Sequence, residues 1–167
     1  MRSRSMRSRA SGYAIALGIA GLLAGSAVHA QGAGPFAAMA GAWAGGGTIS
    51  MANGATERIR CRATYHVGAA GHALQLSIRC ASASYNFDLG GNVVYEGGAI
   101  SGTWSESTRG VSGTVSGRAS GNQFQVYAQG AGFSAGLSLA TRGNQQSVVI
   151  RPAGADVTSV QIALARH

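Results

Sequence analysis

Between Glu57 and Val67 apolar and polar residues alternate with a period of two. Glu57, Ile59, Cys61, Ala63, Tyr65 and Val67 share one parity; Arg58, Arg60, Arg62, Thr64 and His66 share the other. Successive side chains of a β-strand point to opposite faces, so the pattern predicts a strand with a core face and a solvent face. Glu57, at the start, is the exception on the core face. Leu74, Leu76, Ile78 and Cys80 repeat the pattern against Ala73, Gln75, Ser77 and Arg79. Further alternating runs, separated by Gly, Asn and Ser, predict strands over 84–90, 92–96, 99–107, 109–118, 122–129, 132–141, 145–151 and 156–165. The expected fold is all-β, with eight to ten antiparallel strands, short connections and no long helix. A closed up-and-down barrel is the economical solution, because closure removes exposed strand edges. A β-sandwich is the alternative.

Parity also constrains the turns. Opposed residues of an antiparallel pair share a face, so Cys61 opposite Cys80 requires an even loop, of two residues (Ala70-Gly71) or four. At Asn53-Gly54 a two-residue turn would set Ile49 against Arg58, core against solvent. An odd loop, Ala52-Asn53-Gly54, keeps Ile49 and Ile59 on one face.

The alternation is absent from the first forty residues. Arg2, Arg4, Arg7 and Arg9 precede an apolar run from Tyr13 to Ala24, followed by small residues at Val28 and Ala30. These are the parts of a cleavable secretory signal, so residues 1–30 are expected to be removed after Ala30 and the protein to be periplasmic or secreted. Residues 31–40 are expected to be a loose segment with one short helical turn, Phe36–Ala40, and residues 41–167 a single barrel domain.

Composition changes the picture in two ways. The formal charge of +8 falls once the leader is set aside, because nine arginines and five acids follow residue 30. The only cysteines, Cys61 and Cys80, both lie on predicted core faces of an exported domain, which predicts a disulfide.

The helical turn leading into Gly41-Ala42-Trp43 resembles the opening motif of lipocalins and the wider calycin superfamily. The resemblance implies a tryptophan closing the barrel floor, stacked near an arginine from a late strand; Arg151 and Arg166 are the candidates. The C-terminal helix of lipocalins has no counterpart in the pattern. The chain is also similar, more loosely, to small periplasmic inhibitors of bacterial metalloproteases, which implies a role for Gln31-Gly-Ala-Gly-Pro35 as a segment entering a protease cleft.

No catalytic constellation emerges. Gly132-Phe133-Ser134-Ala135-Gly136 fits a hydrolase pattern but lies in an alternating strand with no helix after it. His66 and His72 flank one hairpin without a third ligand, and Glu57, Asp88, Glu96, Glu106 and Asp156 are scattered, so neither a metal site nor an acid/base pair is nominated. No cofactor is expected. Arg58, Arg60 and Arg62, with Arg79 brought opposite Arg62, form a candidate anion site. Nucleic acid is not expected, because no aromatics interleave the arginines. An integral outer-membrane barrel is not expected either, because aromatic residues are few and the terminal Ala165-Arg166-His167 lacks an aromatic. Trp43, Tyr65, Phe87, Trp104, Phe124 and Phe133 are expected to supply the largest core side chains. The expected function is non-enzymatic binding of an apolar or anionic envelope ligand; a protease or other envelope protein bound through the N-terminal segment is the alternative.

Overall fold

The computed structural model describes residues 32–167; the expected signal sequence lies outside the described residues. Ten strands follow a 3-10 turn at Ala37–Met39: β1 Gly41–Met51, β2 Thr56–Gly68, β3 Ala73–Ala81, β4 Asn86–Glu96, β5 Ala99–Glu106, β6 Val111–Ser120, β7 Gln123–Gly130, β8 Phe133–Arg142, β9 Gln145–Ala153 and β10 Val157–Arg166. Each pairs antiparallel with its sequence neighbours, and β1 pairs with β10, so the sheet closes as an up-and-down barrel. The sandwich alternative is thereby set aside.

Both parity arguments hold. Cys61 pairs with Cys80 and they are disulfide-bonded, across a four-residue connection that includes a second 3-10 turn, Ala69–Gly71. In the β1–β2 hairpin Gly47 pairs with Ile59 and Ile49 with Glu57, the register of the odd loop, and Gly54 takes φ of 83° there. Tyr65, Leu76, Gly91, Trp104, Gly113, Gly130 and Phe133 are successive same-face partners from β2 to β8, all pointing inward. Followed fully round the ring, such partners return to β1 displaced by about twelve residues, which tilts the strands roughly 40° from the barrel axis.

The sheet does not curve evenly. A Cβ placed on Gly47 of β1 would collide with the backbone carbonyl of Gln161, and one on Gly113 of β6 with that of Gln129. β1 and β6 lie half a turn apart round the ring. Glycine at these inward positions lets the pleat fold tightly where neighbouring backbones approach, a device that bends sheets into barrels.

Three expectations are corrected. Segments 84–90 and 92–96 are one strand, β4, because Gly90-Gly91 runs through extended and pairs with Ser77 and Leu76 instead of turning. The N-terminal segment is fixed from Gly34 onward: the Gly34 N–H donates to Ala70 O at 2.8 Å and that of Phe36 to Gly71 O at 3.1 Å. Phe133, expected in the core, is 37% exposed, because it begins β8 at the rim.

Candidate functional site

The two ends of the barrel differ. At the end carrying the 3-10 turn Ala37–Met39, Phe36, Met39, Trp43, Tyr65, Leu74 and Phe124 are all buried in one cluster. The Phe36 ring stacks on Phe124 with centroids 5.6 Å apart. Trp43 is fully buried and its indole N–H donates to Met39 O at 2.7 Å. Of the two candidate arginines, Arg166 is the partner: it sits opposite Trp43 in the β1–β10 register, with its guanidinium 4.6 Å from the ring centroid. It donates to Ala40 O at 2.8 Å and Ala38 O at 2.5 Å, tying the 3-10 turn down as a floor. Arg151 is outward and exposed.

Above the floor lies a small buried polar chain that the sequence did not suggest. The Tyr65 hydroxyl donates to Gln146 Oε1 at 2.8 Å, and Gln146 Nε2 donates to Thr141 Oγ1 at 3.2 Å. Burial pushes the Tyr65 phenol above its ordinary pKa, so it stays a neutral donor. An isolated Gln and Thr on alternating strands give no sign of pairing until the register brings β2, β8 and β9 around one lumen.

The opposite end is less completely filled. Phe87, Leu89, Val111, Val115, Leu137 and Ile150 all point inward, yet each is only half-buried. Glycine or alanine occupies many other inward positions, including Gly45, Gly102, Gly117, Ala128 and Ala135. Two aromatic pairs mark the rim. Tyr85 stacks on Phe87 at 6.2 Å, with its hydroxyl 3.6 Å from Met51 Sδ. Trp104 meets the exposed Phe133 edge-on at 5.5 Å and donates its indole N–H to Gln129 O at 3.1 Å. Trp43, Tyr65, Phe124 and Trp104 are therefore core residues as expected, whereas Phe87 and Phe133 line the mouth.

Glu106 stands at this rim, 5% exposed. Burial would raise its pKa, but its carboxylate accepts the backbone N–H groups of Asp88, Thr108 and Arg109 at 2.9 to 3.0 Å, and the balance brings it down to about 2. Arg109 lies 3.6 Å from the same carboxylate and 5.0 Å over the Phe87 ring. Glu106 thus holds the β5–β6 turn.

Arg58, Arg60 and Arg62 project outward from β2 and are exposed. Arg79 is opposite Arg62, as expected, and its charge is met by Asp88 at 3.1 Å. His66 is exposed on the outer face, while His72 packs edge-on against Tyr95 at 5.6 Å. Ser134 points outward from β8, opposite Gln129. Apart from the inward-facing Glu57 and Glu106 at the rim and Arg166 at the floor, the apolar side chains thus line the inside and the charges the outside, the reverse of a barrel that faces lipid. Among the described residues no helix is long and apolar enough to cross a membrane.

No family profile matches the chain, and no curated protein does. Solved structures share the fold, among them the following two. One is the crystal structure of Rv2717c from M. tuberculosis, with a TM-score of 0.59 at 15% identity, over 78% of this chain and 94% of that one. The other is the S-type phycobiliprotein lyase CPES from Guillardia theta, with a TM-score of 0.57 at 10% identity, over 79% and 90% of the two chains. At these identities the likeness is one of fold: a closed antiparallel barrel resembling the calycin type.

Proposed function

We propose that this chain is an exported, non-enzymatic binding protein that takes a small apolar ligand into its barrel through the end opposite the 3-10 turn Ala37–Met39. The observation that carries this reading is the asymmetry of the inner wall. Ten strands enclose a wider lumen than the eight that side chains just fill. One half is packed and locked by Trp43 and Arg166, while in the other half inward-facing Phe87, Leu89, Val115 and Leu137 keep part of their apolar surface accessible. Concave, mostly apolar walls with a few aromatics at the entrance are the usual form of small-molecule sites. Burying that surface under a ligand yields about 25 cal/mol per Å². A non-enzymatic role fits the carboxylates at this end, since Glu106 and Glu57 accept backbone N–H groups and Asp88 pairs with Arg79. The alternative, an inhibitor acting through its N-terminal segment, has less support: Phe36 and Met39 are spent on the barrel floor and leave little free chain among the described residues.

The test uses Nile red, a neutral apolar dye, together with native mass spectrometry of protein purified gently from its own host. The expected result is saturable, blue-shifted dye emission that Val115→Phe and Leu137→Trp each suppress, and an added mass lost on denaturation. A bare chain that shows no saturable dye emission would mean a filled barrel and would end this reading.

A further inference from the structure

We propose that the outer wall formed by β2, β1, β10 and β9 is a second, independent site, for a linear acidic polysaccharide. Arg58, Arg60 and Arg62 alternate along the exposed face of β2, which spaces them about 6.7 Å apart. Their neighbours across β1 are Thr48, Gly46 and Ala44, neither acidic nor bulky. On the other flank Arg60 faces Ala81, and Arg62 faces Arg79, whose charge Asp88 already meets. Among the described residues the ion pairs are Arg79–Asp88 and Arg109–Glu106, so the three β2 guanidinium groups carry unmatched charge on one wall. Like charges crowded along one strand face repel and oppose folding, and a bound polyanion would reverse that term.

Beside the stripe runs a shallow trough of about 450 Å³ over β1, β10 and β9. Gly46 and Ala163, which pair across β1 and β10, keep it low; Thr48, Ser50, Ser147 and Gln161 supply hydroxyl and amide groups along it. Arginines offer forked donors to carboxylate or sulfate, and the trough offers neutral hydrogen-bonding groups to sugar hydroxyls. Together they select an anionic chain that is also rich in hydroxyls. A lipid surface would call for apolar anchors beside the arginines, and a nucleic acid for aromatic platforms. The exposed large hydrophobics, Val94, Tyr127 and Phe133, lie instead on β4, β7 and β8.

The probe is a fluorescein-labelled oligogalacturonate, followed by anisotropy at several salt concentrations, with neutral maltodextrin and phosphatidylglycerol vesicles as comparisons. Binding of the acidic oligosaccharide is expected, weakened on the order of tenfold by the combined Arg58→Gln, Arg60→Gln and Arg62→Gln changes, with a shallower salt dependence. Combining Arg109→Gln, Arg118→Gln and Arg142→Gln alters net charge equally, away from β2, β1, β10 and β9, and is expected to have little effect. Ala163→Leu, which raises the trough without altering charge, is expected to weaken binding, whereas Val115→Phe inside the barrel leaves it intact. Equal losses from the two triple variants, no binding of the oligogalacturonate, or binding of the vesicles alone would overturn the proposal.

Discussion

Glu106 sits where an acid is least expected, pointing inward between Leu89 and Val111 on an otherwise apolar ring. Three backbone N–H groups compensate for its desolvation and hold its pKa at about 2, below the ~4.3 of an unfolded glutamate. A group whose folded pKa is depressed contributes stability above its unfolded pKa and loses it as pH falls towards the folded one. The contribution of Glu106 is therefore expected to be complete near neutrality and to fade between about pH 4.5 and pH 2. Glu106→Gln should lower the urea midpoint at pH 7 and flatten its decline over that acid range, compared with the unmodified protein. An equally steep decline in the variant would assign the acid sensitivity to other groups. Nothing in the sequence marked this residue among five scattered acids, because its donors come from the turn after β5 and from β4, which meet only in the fold. The arginine over Trp43 was half legible. The sequence left Arg151 and Arg166 open, and the β1–β10 register decides for Arg166 by setting it opposite the tryptophan.

Strands were legible wherever two-residue alternation ran between residues with side chains, and less so where glycine carried the chain. Glycine has no side chain to show a face, and it suits both turns and tight approaches. That ambiguity divided β4 into two segments at Gly90-Gly91. It also hid the corners of the barrel, since Gly47 and Gly113 read as weak strand positions, not as places where backbones nearly touch. The distinction can be tested at the level of single strands. Gly113→Ala and Gly47→Ala each drive a Cβ into a neighbouring carbonyl and are expected to cost about 2–4 kcal/mol. Gly136→Ala, on β8 with open space around it, is expected to be neutral or to stabilise by about 0.5 kcal/mol. Urea denaturation of the three variants gives the comparison, and similar losses at all three positions would refute a special role for the corners.

At the scale of the whole molecule, closure was the least legible feature. Nine pairings join consecutive strands across short connections, and each leaves a local trace in parity and turn residues. The tenth, β1 with β10, joins strands at opposite ends of the domain and leaves none; alternation is the same whether two sheets stack or one sheet closes. The same asymmetry bears on folding. Hairpins between neighbours lose little loop entropy, whereas bringing β10 back to β1 closes a loop of more than a hundred residues, at a cost that grows as about 3/2 RT ln n. Local hairpins are then expected to form before the rate-limiting barrier and the β1–β10 seam after it. Ile162 lies on the seam, buried opposite Gly47 and Val148, while Val126 lies in the middle of the meander between Gly117 and Leu137. Ile162→Val, costing about 1 kcal/mol, is expected to speed unfolding and leave refolding nearly unchanged. Val126→Ala is expected to slow refolding by a larger share of its own cost. Stopped-flow chevrons with the disulfide intact measure both. If Ile162→Val instead slowed refolding by most of its equilibrium cost, closure would belong to the transition state, and the barrel would form by joining its ends early.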